Sequence, residues 1–473
     1  MANLMHRRLS AKLSFFAAFS GAVFLCSSAS ARSEGATDQG AYIAVTSDCV
    51  ACHTAPDGKP FAGGLAMKTP LGTMYSTNIT PSTTFGIGDY TEADFSRAVR
   101  KGIRKDRNNL YPAMPYTAYS KMTDRDLHDL YVYFMKSVQP VETAPPKTSL
   151  PFPMNIRSSM IFWNILFRND RVFQPDLSRS EEWNRGAYLV QGPAHCGTCH
   201  TPRGFLMQEK PSESLGGASL GSWYAPNITS DKISGIGSWS AENIKTYLKS
   251  GHIDGLAQAA GGMGEAVEHS FQHFTDDDLQ AVATYLASVK PVHDPEDGNT
   301  SRFTLGRATS SADRVRGDQP IRSEDNSDMT GAELFMGNCA SCHNFKAEGS
   351  RDGYYPSLWH NSVTGASNAD NLIATILFGV DRHVSGVEAF MPGFGGRKSD
   401  AAQLNDEEIA KLTKYVLNTY GRPQVSVSGA QVKMIREGGA KSPLLALTRF
   451  GMAGSMIIIT LACIRGVFRR IRT

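Results

Sequence analysis

Cys196-Gly197-Thr198-Cys199-His200 decides the reading of this chain, because the same word occurs twice more, as Cys49-Val50-Ala51-Cys52-His53 and Cys339-Ala340-Ser341-Cys342-His343. In C-x-x-C-H two thiols are spaced to form thioethers with the two vinyl groups of a haem, and the next residue places an imidazole where it can bind the iron. A zinc knuckle would want a second Cys or His pair farther along, and a redox dithiol has no need of the histidine. Neither pattern recurs. The words therefore read as three covalent haem c sites, with Cys49, Cys52, Cys196, Cys199, Cys339 and Cys342 as thioether positions and His53, His200 and His343 as iron ligands.

Working outward, the words recur at intervals of 147 and 143 residues, and more than the word repeats. Ahead of each stands a Gly-led helical stretch, Gly40-Ala41-Tyr42, Gly186-Ala187-Tyr188 and Gly331-Ala332-Glu333. Behind each, a capping residue with an acid three positions on opens an amphipathic helix: Thr123 to Asp126, Thr275 to Asp278 and Asn405 to Glu408. Leu127, Leu130, Tyr133 and Phe134 share one helical face, as do Leu279, Val282, Tyr285 and Leu286, and Ile409, Leu412, Tyr415 and Val416. A glycine on the first helix and a tyrosine on the last would let the two cross closely. This order resembles the class I cytochrome c fold, in which the terminal helices pack beside the haem. The expected fold is mainly α: three tandem class I cytochrome c domains over 32–140, 183–291 and 329–423, plus a C-terminal membrane-anchor helix over 443–470.

Repeats one and two share Tyr75-Ser76-Thr77-Asn78-Ile79-Thr80 and Tyr224-Ala225-Pro226-Asn227-Ile228-Thr229, each followed by Gly-Ile-Gly. Repeat three has Tyr355-Pro356-Ser357-Leu358 instead. The Gly-Ile-Gly segments lack the third glycine of a nucleotide loop and read as turns.

The second axial ligand sets the chemistry, because methionine closes the iron and raises its potential whereas an open position allows activation of small molecules. The candidates precede the capped helices: Met114 in Pro112-Ala113-Met114-Pro115, Met263 in Gly261-Gly262-Met263-Gly264 and Met391 in Phe390-Met391-Pro392. Met67, Met74, Met122 and Met207 read as core fillers. His252, His269 or His273 in place of Met263 would make a bis-histidine site of lower potential. His195 reads as a local surface or propionate-side residue.

Arg7, Arg8 and Lys12, the apolar stretch 13–26 and Ala29-Ser30-Ala31 form an export signal over 1–31. Of eight cysteines, six belong to the words, Cys26 to the leader and Cys463 to an apolar tail, so none remains for a disulfide. Without the leader and the basic tail, the body carries more Asp and Glu than Lys and Arg, which excludes nucleic acid as a natural partner. The connector 141–182 holds an unusual apolar run, 160–167, suited to packing on the flanking domains or to a membrane or partner contact. The connector 292–328 is rich in Asp, Ser and Arg and reads as solvated. In the tail, 450–464 is uncharged and bounded by arginines. Fifteen helical residues reach roughly 22 Å, short of the ~30 Å hydrocarbon core, so the flanking 443–447 would have to extend it.

Residues 75–81, 86–90, 111–116, 195–204 and 352–358 together resemble the triheme cytochrome c subunits of membrane-bound bacterial dehydrogenases. The apolar tail is most similar to the cytochrome subunits of flavin-dependent fructose dehydrogenases, with those of sorbitol, gluconate and alcohol dehydrogenases close behind. The resemblance implies a periplasm-facing complex on the bacterial inner membrane. A flavin-bearing catalytic subunit oxidises a sugar or polyol, a small accessory subunit supports it, and this chain relays electrons to ubiquinone. It implies no catalytic residue here. The competing expectations are a cytochrome subunit of a quinoprotein alcohol or molybdenum aldehyde dehydrogenase, and a self-sufficient multihaem enzyme such as a peroxidase.

Overall fold

A computed structural model describes residues 35–308, 329–397 and 400–471. The export signal and most of the second connector lie outside these residues. Three helical units follow one another in the same element order. Each has an N-terminal helix (35–46; Glu181–Gln191; Gly331–Asn338) and a short helix on the C-x-x-C-H word (Cys49–Cys52; Cys196–His200; Ala340–His343). A middle helix (Glu92–Lys101; Ala241–Ser250; Asp370–Phe378) precedes the long terminal helix (Asp124–Lys136; Asp276–Ser288; Asp406–Tyr420).

The first and last helices of each unit cross at the anticipated glycines. A Cβ at Gly40 would meet the Asp129 carbonyl and lie 2.7 Å from Tyr133 Cβ. One at Gly186 would meet the Ala281 carbonyl, with Tyr285 Cβ at 2.9 Å, and one at Gly331 the Lys411 carbonyl, with Tyr415 Cβ at 2.7 Å. Only a residue without a side chain lets two backbones approach this far. The apolar faces then close three cores, around Phe134 in the first unit, Leu279 and Val282 in the second, and Leu412 and Val416 in the third.

The sequence pattern did not announce strands, yet four antiparallel hairpins are present among the described residues. Ala66–Thr69 with Gly72–Tyr75 and Ala218–Leu220 with Trp223–Ala225 are equivalent in the first two units and lead into the shared Tyr-x-x-Asn stretches. A small hairpin over 252–258 follows. The hairpin Val380–Val384 with Val387–Met391 belongs to the third unit but buries Val384 in the core of the second. Trp223 of the second unit returns the contact by packing on the third core. That core also runs past the expected boundary at 423, because Val432 and Ile435 of the helix Gly429–Arg436 are buried in it.

The two connectors are both structured among the described residues, and only the second departs from its expected character. The run 160–167 lies in the helix Ser159–Phe167, in which only Asn164 is buried. Tyr116 Oη donates to Asn164 Oδ1 at 2.8 Å, and Trp163 Nε1 donates to the Leu206 carbonyl at 2.9 Å, so the helix straps the first unit to the second. Its other side leaves Phe162 and Ile165 each 73% exposed. The described part of the second connector, 292–308, is not a solvated tether: Asp297 and Arg302 are buried in it. The tail forms one helix, Leu444–Ile471. At 1.5 Å per residue its 28 residues reach about 42 Å, so the helix is longer than the uncharged run suggested.

Candidate functional site

The first two word helices begin where the preceding backbone turns sharply, whereas the third follows its N-terminal helix through Cys339 in the right-handed region. Asp48 and His195, just ahead of the first cysteines, are left-handed, with φ of 51° and 38°. His53 Nδ1 donates to the Thr77 carbonyl at 2.6 Å, His200 Nδ1 to the Pro226 carbonyl at 2.6 Å, and His343 Nδ1 to the Pro356 carbonyl at 2.9 Å. A carbonyl can only accept, so each Nδ1 carries the proton and each Nε2 keeps its lone pair. Burial presses all three imidazoles below their ordinary pKa, against the smaller upward pull of these carbonyls. A neutral, oriented imidazole is what an axial iron ligand requires.

These acceptors were missed in the sequence, although the stretches that supply them were singled out. Thr77 and Pro226 occupy equivalent positions in the two shared stretches, and Pro356 lies in the divergent third one. The neighbouring asparagines lock the loops. Asn78 Oδ1 accepts from Thr80 N at 2.9 Å while Nδ2 donates to the Val141 carbonyl at 2.8 Å; Asn227 repeats this with Thr229 N at 2.9 Å and the Val292 carbonyl at 2.6 Å. Each loop is thereby tied to the chain leaving the terminal helix.

The second and third words open on one shared apolar cavity of about 570 Å³, lined by Cys196, Cys199, His200 and Met263 on one side and Cys339, Cys342, His343 and Met391 on the other. Cys52 reaches the same cavity. Met263, three residues into the helix Gly261–His269, and Met391, at the end of its strand, both face it. His252, His269 and His273 are not among its lining residues, and His252 Nδ1 is engaged with Gln258 Nε2 at 2.5 Å. Met114 lies in the turn before Tyr116–Tyr119 and packs on the first core with Cys49. Of the rivals, Met122 is fully buried in that core and Met67 pairs with Met74 in a hairpin. His195 bonds locally through Nδ1 to the Pro193 carbonyl at 2.8 Å and sits edge-on to Tyr119.

The donor set fits a haem c. Paired thiols border an apolar cavity, with an oriented imidazole and a thioether beside it. Burial pushes Cys52, Cys196 and Cys339 up to about 12, the reverse of the activated thiolate that a redox dithiol uses. Burial, with Glu265 opposite, also lifts Asp48 to about 8.

The cytochrome c family model matches residues 329–419. The chain is 47% identical over 417 residues to the fructose dehydrogenase cytochrome subunit of Gluconobacter japonicus, covering 88% of this chain and 85% of that one. The chain belongs to the family of dehydrogenase cytochrome c subunits. Further members are the cytochrome c subunit of quinone alcohol dehydrogenase from Gluconacetobacter polyoxogenes, 40% identical over 85% of this chain and 84% of its own length, and that of gluconate 2-dehydrogenase from Pantoea cypripedii, 38% over 84% and 89%. In this family of cytochrome subunits the cofactor is covalently bound haem c, and its role is electron transfer within an oxidoreductase complex.

Proposed function

We propose that this chain is the triheme electron-transfer subunit of a sugar or polyol dehydrogenase, carrying electrons from a flavin-bearing catalytic subunit to ubiquinone. The observation that carries the reading is the threefold recurrence of a C-x-x-C-H whose histidine donates Nδ1–H to a backbone carbonyl. Bound haem c would supply a one-electron couple at each word. The chain's own residues would hold it: Cys49 and Cys52, Cys196 and Cys199, and Cys339 and Cys342 would attach the groups, while His53, His200 and His343 would ligate the iron. Met114, Met263 and Met391 would complete the ligation, which would exclude water and peroxide and favour the reduced state. The continuous cavity supports a relay because it brings the second and third sites within one apolar enclosure, with Cys52 at its edge.

The likeness to the fructose dehydrogenase subunit favours a flavoprotein partner, with an accessory subunit, over the quinoprotein and molybdenum alternatives. Seating at the periplasmic face of the inner membrane is supported by the helix Leu444–Ile471, whose stretch Leu444–Ala462 is long and apolar enough to cross a membrane. Arg449 Nε donates to the Phe152 carbonyl at 2.8 Å, so this helix leaves the body beside the exposed Phe152. That side chain adds apolar surface next to the span.

The test is purification in mild detergent with the associated subunits. Intact mass should give three haems, the oxidised spectrum should be low-spin throughout, and fructose or a related polyol should reduce all three haems in the presence of the co-purified flavoprotein. A high-spin haem, or hydrogen peroxide turnover by the isolated chain, would overturn the reading.

A further inference from the structure

Arg302 belongs to a connector that reads as solvated, yet its side chain is only 9% exposed and lines the cavity of the second and third words. Its Nη2 donates to the Ser234 carbonyl in the second unit and lies 3.5 Å from Asp297 Oδ2. Its Nε has no partner. Trp239, which lines the same cavity, packs its ring on Phe303 at 5.7 Å and on Tyr247 at 5.5 Å, and its Nε1 is also without a partner. Two buried N–H groups left unpaired are a large penalty for a folded chain to carry.

The charges point the same way. Buried Asp297 lies between two arginines, 3.5 Å from Arg302 and 3.8 Å from Arg422, so one carboxylate faces two guanidinium groups. The other nearby carboxylate, Asp294, is partly exposed and is used to cap a short helix, accepting from Glu296 N at 3.0 Å. Unpaired donors at one end of an apolar cavity, with a single buried carboxylate between two guanidinium groups, call for further oxygen acceptors. The first unit lacks the pair at the equivalent positions, although Arg97 Nε and Arg100 Nε are unpaired elsewhere in it. Tyr90 stands where Trp239 does, its hydroxyl already accepts from Lys105 N at 3.4 Å, and the segment 141–153 contains no arginine.

We propose that Arg302 and Trp239 form the propionate cradle of the haem held by Cys196 and Cys199, so that a residue of the connector sets the potential of the middle site. This rests on the haem reading above. A guanidinium beside the propionate would oppose the ferric charge and raise the potential of that haem.

The experiment uses the full chain in detergent with its associated subunits, as R302Q, R302K and W239F. Intact mass of each counts the haems, and spectroelectrochemical titration gives the midpoints, with M263H marking the second haem. R302Q should lower that haem's reduction constant about tenfold, for a charge removed near the ring at an effective dielectric near 20, which is about 59 mV for one electron. R302K should restore most of it. W239F, which keeps an aromatic ring but loses the N–H, should move the same midpoint by less in the same direction. The carboxylate bands in the redox difference infrared spectrum should shift in R302Q and W239F. With the haem attached at Cys196 and Cys199, unmoved midpoints or a shift at another haem would overturn the cradle alone. A wild-type chain without haem at those cysteines would overturn the haem reading with it.

Discussion

The first two units hold each other through a reciprocal exchange that can be tested residue by residue. Thr123 and Thr275 cap the terminal helices, accepting from Asp126 N at 3.1 Å and Asp278 N at 3.2 Å, but the return arm of each capping box is taken over by the other unit. Tyr42 Oη of the first unit donates to Asp278 Oδ2 at 2.6 Å and accepts from Thr275 N at 3.2 Å. Tyr188 of the second unit donates to Asp126 and accepts from Thr123 N at 3.3 Å. These tyrosines are equivalent in the repeat. Tyr42→Phe removes a charge-assisted bond, worth roughly 1.5–3 kcal/mol, and a weaker neutral one. Asp278 keeps two bonds from Arg185, both at 2.7 Å, and Thr275 N can turn to water, so the loss falls near the low end, about 1.5–2.5 kcal/mol.

At about 1.4 kcal/mol per factor of ten, that loss predicts roughly a 10- to 60-fold faster exchange of the protected amides. Hydrogen-exchange mass spectrometry locates the effect. In Tyr42→Phe the acceleration should appear across the interface, in peptides covering 275–279, with 123–127 unchanged. In Tyr188→Phe the pattern should reverse, and the double variant should show both at once, because the two bond sets share no partner. An acceleration below threefold, or one confined to the mutated residue's own helix, would refute the exchange.

Three further outcomes follow from the same geometry. Gly186→Ala should lower thermal stability: overpacking at the Ala281 carbonyl and Tyr285 costs about 1–3 kcal/mol, against a helix-propensity gain of at most about 1. Gly337→Ala, in a helix with nothing within 4 Å of the new Cβ, should raise it, and scanning calorimetry of the pair gives the sign of each. Burial pushes Asp278 up, but the bonds from Arg185 and Tyr42 outweigh it and hold the carboxyl below its usual range. Its stabilisation is therefore present at neutral pH and lost as pH falls through the depressed value, so exchange in 275–279 should accelerate below about pH 4, and Asp278→Asn should abolish that dependence. A chain lacking 443–473 should still sediment with anionic liposomes through Phe162 and Ile165, and Phe162→Glu with Ile165→Glu should leave it in the supernatant.

What the sequence made legible is what side-chain identity encodes. Gly40, Gly186 and Gly331 with Tyr133, Tyr285 and Tyr415 predicted helix crossings that the backbone approaches bear out. The words and the methionine settings likewise rest on residue type. The carbonyls of Thr77, Pro226 and Pro356 were not legible, because a backbone acceptor is indifferent to the residue that carries it. Only the shared Tyr-x-x-Asn frame marked their place. Arg302 was misjudged because a charged connector reads as solvated unless its counter-charges are known, and Arg422, which shares Asp297 with it, is 120 positions away. Residues 66–75 and 218–225 were equally silent, being too short for a period-two pattern.

The third unit shows why equal words do not make equal units. Where Tyr42 and Tyr188 stand in the first two, it has Glu333, which completes a capping box on its own helix by accepting from Thr330 N at 2.7 Å. Its terminal helix is likewise self-sufficient, with Asn405 N donating to Glu408 at 2.7 Å. Neither group is free to reach across, so the tyrosine exchange can join two units and no more. The third is attached by other means: Val384 and buried Arg382 of its hairpin enter the second unit, Arg382 Nη1 donating to the Ala259 carbonyl at 2.5 Å, and Asn371 pairs with the Tyr224 backbone at 2.8 and 2.9 Å. A symmetric pair with a third unit grafted onto one member places the second unit in contact with both neighbours. Arg302, reaching the Ser234 carbonyl of the second unit and Asp297 of the connector, is buried at that same unit.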